Sequence, residues 1–251
     1  MLQIDLNCDL GESFGAYKIG MDTDVIPLIS SANIACGFHA SDPMVMSDTV
    51  KLAVQNKVAL GAHPGFPDLV GFGRRNLKVS NQEAEAYVVY QIGALSAFAT
   101  INGAKLNHVK LHGALYNMAA KDLSLAIAIC CGIKKINPEL KLIALSGSCM
   151  VKAAEELRLP YLNEVFADRA YNDDGTLVSR TEKGSVITDK SKVVQRVVRM
   201  IEENVVETIT GKIISITPDT VCVHGDNPEA LNLIKEMRKE FSQREIEIKA
   251  S

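Results

Sequence analysis

The sequence predicts an α/β protein made of repeated βα units around a parallel sheet, and three observations predict it. Short apolar runs alternate with longer segments of helical period. Those apolar runs stop, one after another, at polar side chains capable of chemistry. The chain has 251 residues, 47% hydrophobic and 23% charged, which is enough apolar material for a sizeable core. Length alone does not decide the domain count, but α/β barrels run to this size as one domain. With no linker, low-complexity segment or clear repeat, one domain over residues 1–251 is the simpler expectation.

The first strand candidate, Leu2–Asn7, alternates: Leu2, Ile4 and Leu6 share one face, while Asp5, Asn7 and then Asp9 share the other. Asp-x-Asn-x-Asp is also how a calcium loop begins. That reading fails because the glycine comes one residue late, at Gly11, and the twelfth position is Ala16. Six more strand candidates follow, at Ala32–Gly37, Val58–His63, His108–His112, Lys141–Ser146, Glu164–Asp168 and Val221–His224. Between them, Asp42-Pro43 caps a helix with the stripe Met46, Val50 and Ala53. Ser80, with Glu83 placed for a capping box, opens a long helix striped by Ala84, Val88, Ile92 and Leu95. Lys190 to about Thr208 carries Val193, Val194, Val197 and Val198 on one side, and Asn227-Pro228 opens a last helix. Two segments depart from plain βα units. Pro64–Lys78 is rich in Gly and Pro, and Arg169–Asp189 reads as a hairpin excursion around Asn172-Asp173-Asp174-Gly175. Such excursions in a compact domain are usually lids or binding loops.

Four of the five histidines, His39, His63, His112 and His224, fall at or just beyond carboxyl ends of strands, as do Asp9, Ser146 and Asp168. That rim is where α/β sheets and barrels bind substrates. In "HVKLHGALYN", His108, Lys110 and His112 share one strand face, so the polar faces of the first and fourth strands look inward. An interior lined by Asp5, Asn7, Lys110 and His112 needs mutual pairing or a ligand. Two readings stay open: a salt-bridged plug of Asp5 with Lys110, or a catalytic group in which Lys110 stabilises an oxyanion and Asp9 or a neutral histidine takes a proton from water. A divalent metal on Asp9, His39 and His63 is a further possibility, although no helix carries the H-x-x-x-H spacing that would make that signal strong. Arg74, Arg75, Arg169 and Arg180 lie in or beside the excursions, where guanidinium groups can fork onto a carboxylate or phosphate.

The net charge of −3 leaves no basic stripe for nucleic acid. No apolar run approaches the ~18–20 residues of a membrane span, and Asp5 and Asp9 stand where a signal peptide would be cationic and then apolar. Cys8, Cys36, Cys130, Cys131, Cys149 and Cys222 are scattered without a C-x-x-C pair, as expected of buried thiols in a reducing, cytoplasmic setting. No P-loop, dinucleotide fingerprint or G-x-S-x-G elbow is present.

Six motifs in order, "IDLNCDLGESFG" at Ile4–Gly15, "SANIACGFHASDP" at Ser31–Pro43, "GAHPGFPD" with "GFGRR" at Gly61–Arg75, "HVKLHGALYN" at His108–Asn117, "EVFADRAYNDDGTLVSR" at Glu164–Arg180 and "CVHGD" at Cys222–Asp226, resemble the LamB/YcsF family. Two departures stand out: Leu111 where the family pattern has Pro, and Ser41 where it has Gly. The resemblance implies a seven-stranded (β/α) TIM-like barrel of the glycoside hydrolase/deacetylase type, and with that barrel type a place in carbohydrate metabolism. It also implies ATP-driven opening of the 5-oxoproline lactam to L-glutamate, in a complex with subunits B and C. On that reading the catalytic set is Asp9, His39, His63, Lys110, His112, Asp168 and His224. Asn7, Glu12, Arg74, Arg75, Arg169 and Arg180 hold the substrate. Two competing readings are a metal-dependent deacetylase or amidohydrolase acting alone, and a non-catalytic ligand-binding subunit.

Overall fold

The computed structural model describes residues 2–225 and 227–251; Asp226, which ends the last motif, lies outside them. The strands are β1 (Leu2–Leu10), β2 (Ser31–Ala35), β3 (Ala59–His63), β4 (Leu106–Lys110), β5 (Lys141–Leu145), β6 (Tyr161–Phe166), β7 (Val205–Glu207), β8 (Ile213–Ser215), β9 (Thr220–Val223) and β10 (Ile246–Ile248). The helices are α1 (Asp22–Val25), α2 (Pro43–Gln55), α3 (Asn81–Ile101), α4 (Gly113–Ala119), α5 (Leu123–Ile136), α6 (Cys149–Leu157), α7 (Lys190–Glu203) and α8 (Pro228–Gln243). Strands β1 to β6 and β9 pair in parallel in that order, and β9 returns to β1 through Asp5↔Thr220 and Asn7↔Cys222, closing a seven-stranded barrel. Strand β10 lies parallel to the start of β1, and β7 with β8 forms a separate antiparallel pair.

The seven expected strands all form, with shifted ends. β1 runs on to Leu10, so Asp9 lies within the strand, whereas the fourth strand ends at Lys110 and leaves His112 to begin α4. The sixth begins three residues earlier than Glu164, because Tyr161, Leu162 and Asn163 are only half-buried and interrupt the apolar signal. The helix expected from Lys190 to Thr208 stops at Glu203, since Asn204 takes left-handed backbone, and Val205–Glu207 form β7 instead. The Ser41 departure has a conformational cost: its φ is +75°, the region in which glycine is at home.

Outward-facing Leu6, Cys8, Leu10, Ala32, Ile34, Leu60, Val109 and Val165 pack with the helices into one apolar layer. The barrel interior is polar. At its foot Asp5 accepts hydrogen bonds from Ser30 (2.6 Å), Ser31 (2.7 Å) and Thr220 (2.5 Å), and burial still lifts its carboxyl above the ordinary value. Above it Asn7 donates to Thr220 (2.7 Å) and accepts from Asn33 (2.8 Å). The Asn33 carbonyl oxygen in turn accepts from His108 Nε2 (2.8 Å). The sequence placed His108 at the start of its strand; it sits inside β4, where Leu60↔Leu106 and Gly61↔His108 leave Asn107 as a bulged residue. Gly61 is required opposite it, since a Cβ there would overlap the imidazole.

Burial, helped by the Lys110 charge, pushes the His108 imidazole down to about 3. The unfolded chain therefore binds a proton at this residue between pH 6.5 and 3 that the folded barrel refuses. Stability should fall by about 1.4 kcal/mol per pH unit from this group as pH drops through that window. Urea unfolding of His108→Gln at several pH values checks it: the variant's acid slope should be shallower by that amount.

Candidate active site

The carboxyl ends of the barrel strands gather two clusters. The first surrounds Lys110, a residue only 2% exposed. Its Nζ donates to Asp9 Oδ1 (2.9 Å) and Asn7 Oδ1 (3.2 Å), pairs with Glu164 Oε1 (2.7 Å), and lies 3.1 Å from Cys222 Sγ and 5.4 Å from the Phe166 ring centre. Burial opposes its charge, but Asp9, Cys222 and Glu164 outweigh it and hold the ammonium well above its ordinary value. Glu164 also accepts from Tyr116 Oη (2.7 Å). For Asp9, burial works against ionisation, yet His63 and Lys110 keep its carboxyl well below the usual range. The plug of Asp5 with Lys110 is thus corrected: Lys110 pairs with Asp9 and Glu164, and Asp5 is served by hydroxyls.

Beside Lys110 stand three imidazoles and Glu12. Gly11, with φ +67°, ends the alternation of β1, and Glu12 then meets His39 Nε2 at 3.2 Å and His112 Nδ1 at 3.5 Å. The His39 and His112 rings stack with centroids 3.6 Å apart, and burial drives both well below the ordinary imidazole value. His63 Nδ1 lies 2.8 Å from the Lys110 carbonyl, and His112 Nε2 2.8 Å from the Phe72 carbonyl. A carbonyl only accepts, so both nitrogens carry the proton. The opposite nitrogens, His63 Nε2 and His112 Nδ1, then point lone pairs at each other across 3.0 Å. That gap needs a cation, either a proton or a metal ion. Burial lowers His63, but Asp9 at 3.4 Å outweighs it, so the first is available. Glycines make room for the rings: a Cβ on Gly73 would meet His39 at 2.7 Å and His112 at 2.9 Å.

The second cluster is a dyad: His224 Nδ1 lies 2.9 Å from Asp168 Oδ2, with Arg180 3.3 Å from His224 Nε2. Burial lowers His224, but Asp168 outweighs it and raises the imidazole; the same pair lowers the Asp168 carboxyl against burial.

Of the expected site residues, Asp9, Glu12, His39, His63, Lys110 and His112 come together, and Asp168, His224 and Arg180 form the neighbouring group. Asn7 is fully buried below the rim within the polar interior. Arg74 is exposed, 5.0 Å over the Phe72 ring that edges His39 and His112. Arg75 is held by Asp68 within its own loop. Arg169, 5% exposed, donates to the carbonyls of Val178 and Ser185 and pins the hairpin excursion. As for a metal, the donor group is Glu12, His39, His63 and His112; Asp9, the expected carboxylate ligand, is outside it, with its Oδ1 on Lys110 and Asn33 and its Oδ2 3.4 Å from His63 Nε2. Glu164, Asn33, Tyr116 and Cys222 were not singled out by sequence. A glutamate heading the apolar run Val165–Ala167 was the one available signal for Glu164.

Among the described residues no single helix is long and apolar enough to cross a membrane; α4 and α5 reach that length and composition only as a pair bent by 115°.

A curated relative from Clostridium beijerinckii, by name the A subunit of a 5-oxoprolinase, is 60% identical over 248 residues, covering 99% of this chain and 97% of that one. One of the same name from Pyrococcus abyssi is 51% identical over 247 residues, 98% of this chain and 97% of its own. The crystal structure of a lactam utilization protein from Thermus thermophilus superposes with a TM-score of 0.94 at 44% identity, over the whole of both chains. A family 4 carbohydrate esterase from Streptomyces lividans matches with a TM-score of 0.51 at 9% identity, covering 98% of this chain and 91% of that one. That likeness is one of fold alone, so the expected place in carbohydrate metabolism finds no support, while the deacetylase-like barrel does. The LamB/YcsF family profile matches residues 4–251. With that match, full-length relatives above 50% identity and a shared barrel, the chain belongs to the LamB/YcsF family.

Proposed function

We propose that the chain opens the lactam ring of 5-oxoproline to L-glutamate as the A subunit of an ATP-dependent 5-oxoprolinase, acting with subunits B and C as one barrel domain. The observation that carries this reading is the set of full-length relatives so named at 51–60% identity. Its cofactor is ATP, used by the complex. A five-membered lactam is a resonance-stabilised amide, and phosphorylating its carbonyl oxygen removes that resistance to water. This chain has no nucleotide loop by sequence, so the phosphorylation belongs to B and C, and the barrel receives the activated ring.

Water then adds at the activated carbon, and the tetrahedral adduct has two fates. Expelling phosphate returns the lactam; expelling the ring nitrogen opens the ring and leaves an acyl phosphate, which a second water converts to glutamate and phosphate. Protonating the nitrogen selects the second fate, and the Asp168–His224 dyad supports that role because Asp168 raises the His224 imidazole above its ordinary value. Asp9 stays ionised beside His63 and takes the proton of the attacking water. Lys110 stabilises negative charge on oxygen, with His39 and His112 lining the same face. Arg74 and Arg180, at the two sides of the mouth, and Glu12 contact the substrate's polar groups. Arg75 and Arg169, spent on Asp68 and on backbone carbonyls, order the loops that carry those contacts.

The test is glutamate formation from 5-oxoproline by this chain with and without ATP and with and without B and C. Glutamate only when all are present is the expected result. Glutamate from the chain alone without ATP would overturn the reading and favour the stand-alone amidohydrolase.

A further inference from the structure

Four donor atoms, Glu12 Oε1, His39 Nε2, His63 Nε2 and His112 Nδ1, come from four different βα loops or strand ends and lie within 4.8 Å of one another. The spacing of neighbours in this set is telling. With metal–ligand bonds of about 2.0–2.1 Å, the edge of a coordination tetrahedron is about 3.3 Å. Three of the six edges are 3.0 Å between His63 and His112, 3.2 Å between Glu12 and His39, and 3.5 Å between Glu12 and His112, and the others lie within 4.8 Å.

The surroundings carry the second, independent observation. A ligating histidine ordinarily donates its other ring N–H to a carboxylate or a backbone carbonyl, which fixes the tautomer and turns a lone pair to the metal. His63 does so to Lys110 O and His112 to Phe72 O, each at 2.8 Å. A single proton could bridge only one donor pair, whereas the geometry converges four.

We infer that Glu12, His39, His63 and His112 form a site for one divalent ion of the zinc class. The donor set decides the class. Three imidazoles and one carboxylate suit Zn²⁺ and its first-row neighbours, while Mg²⁺ and Ca²⁺ call for oxygen-dominated shells. To ligate through Nε2, His39 moves its proton to Nδ1, which faces Gly65 and has no hydrogen-bond partner among the described residues. An ion so placed would supply Lewis acidity toward an oxygen of the bound substrate. Asp9 is not one of the four donors: its Oδ1 is tied to Lys110 and Asn33, and its Oδ2 faces His63 Nε2 at 3.4 Å.

This inference goes beyond the lactam-opening reading and rests on ligand geometry alone. The full chain, stripped with a chelator and equilibrated with Zn²⁺ but without ATP, lactam, B or C, should retain one ion per chain by elemental analysis after gel filtration. With Co²⁺ in its place, the strong visible bands of a four-coordinate ion should appear. Glu12→Gln and His112→Asn should weaken Zn²⁺ binding about 100-fold or more, and His224→Gln should leave it unchanged. Failure of the wild-type chain to retain zinc, a six-coordinate Co²⁺ spectrum, or undiminished binding in both Glu12→Gln and His112→Asn would each overturn the site. The wild-type Co²⁺ spectrum decides the matter even if a variant does not fold. Because no turnover is read, zinc binding and lactam opening can fail separately.

Discussion

Glutamate formation by the reconstituted three-subunit complex should fall about 10²- to 10⁴-fold when His224 is replaced by Gln, while ATP continues to be consumed. The expectation follows from the two exits open to the phosphorylated adduct. Without a proton delivered to the ring nitrogen, phosphate leaves instead, the lactam is regenerated, and each cycle hydrolyses ATP for nothing. Measuring ADP and glutamate in the same reaction should show their ratio climbing well above the wild-type value. Asp168→Asn should act in the same direction, because Asp168 is what raises the His224 imidazole against its burial. In the wild-type complex the coupling should also be lost as pH rises through the raised His224 value, since the acid is then neutral. A variant in which ADP and glutamate decline in parallel would remove His224 from this role and leave it to substrate binding.

Replacing Lys110 by Met should have the largest effect on both activity and stability. The side chain would keep most of its stem but leave Asp9 and the fully buried Glu164 without their shared cation. Removing one member of a buried charge network costs about 3–5 kcal/mol, because the remaining charges stay desolvated. Activity should drop by about 10²–10³-fold as the stabilising charge on oxygen disappears. Lys110→Met combined with Glu164→Gln separates the two effects: it should recover much of the stability in urea unfolding and none of the activity. Recovery of turnover in that double variant would mean that Lys110 is a structural counter-ion only.

The alternation of β1 and β4 is a local, period-two signal, so Asp9, Lys110 and the strand-end histidines could be read from residues alone. Their partners could not. Glu164 hides because half-buried Tyr161–Asn163 obscure where β6 begins, and only barrel closure brings β6 and β1 to opposite sides of Lys110. Glu12 lies past the left-handed turn at Gly11, where alternation says nothing about direction. It is Glu12, and not Asp9, that stands with the three histidines in the group of four converging donors. The arginines show the converse limit. A guanidinium in a loop reads as a ligand clamp whether its partner is a substrate or, as for Arg75 and Arg169, an aspartate or carbonyl a few residues away. Strand β10 and the β7–β8 pair are three residues long each, too short for any periodicity.

The polar interior of the barrel also limits how this protein can change. Asp5, Thr220, Asn7, Asn33, His108, Lys110, Asp9 and Glu164 form one chain of hydrogen bonds and ion pairs contributed by five strands. Successive members share donors and acceptors, so a single substitution strands its neighbours in a low-dielectric space. Converting the barrel to a new reaction by altering one interior residue at a time should pass through unstable intermediates. A redesign that exchanges linked residues together, or that works only on the outer loops, avoids that barrier.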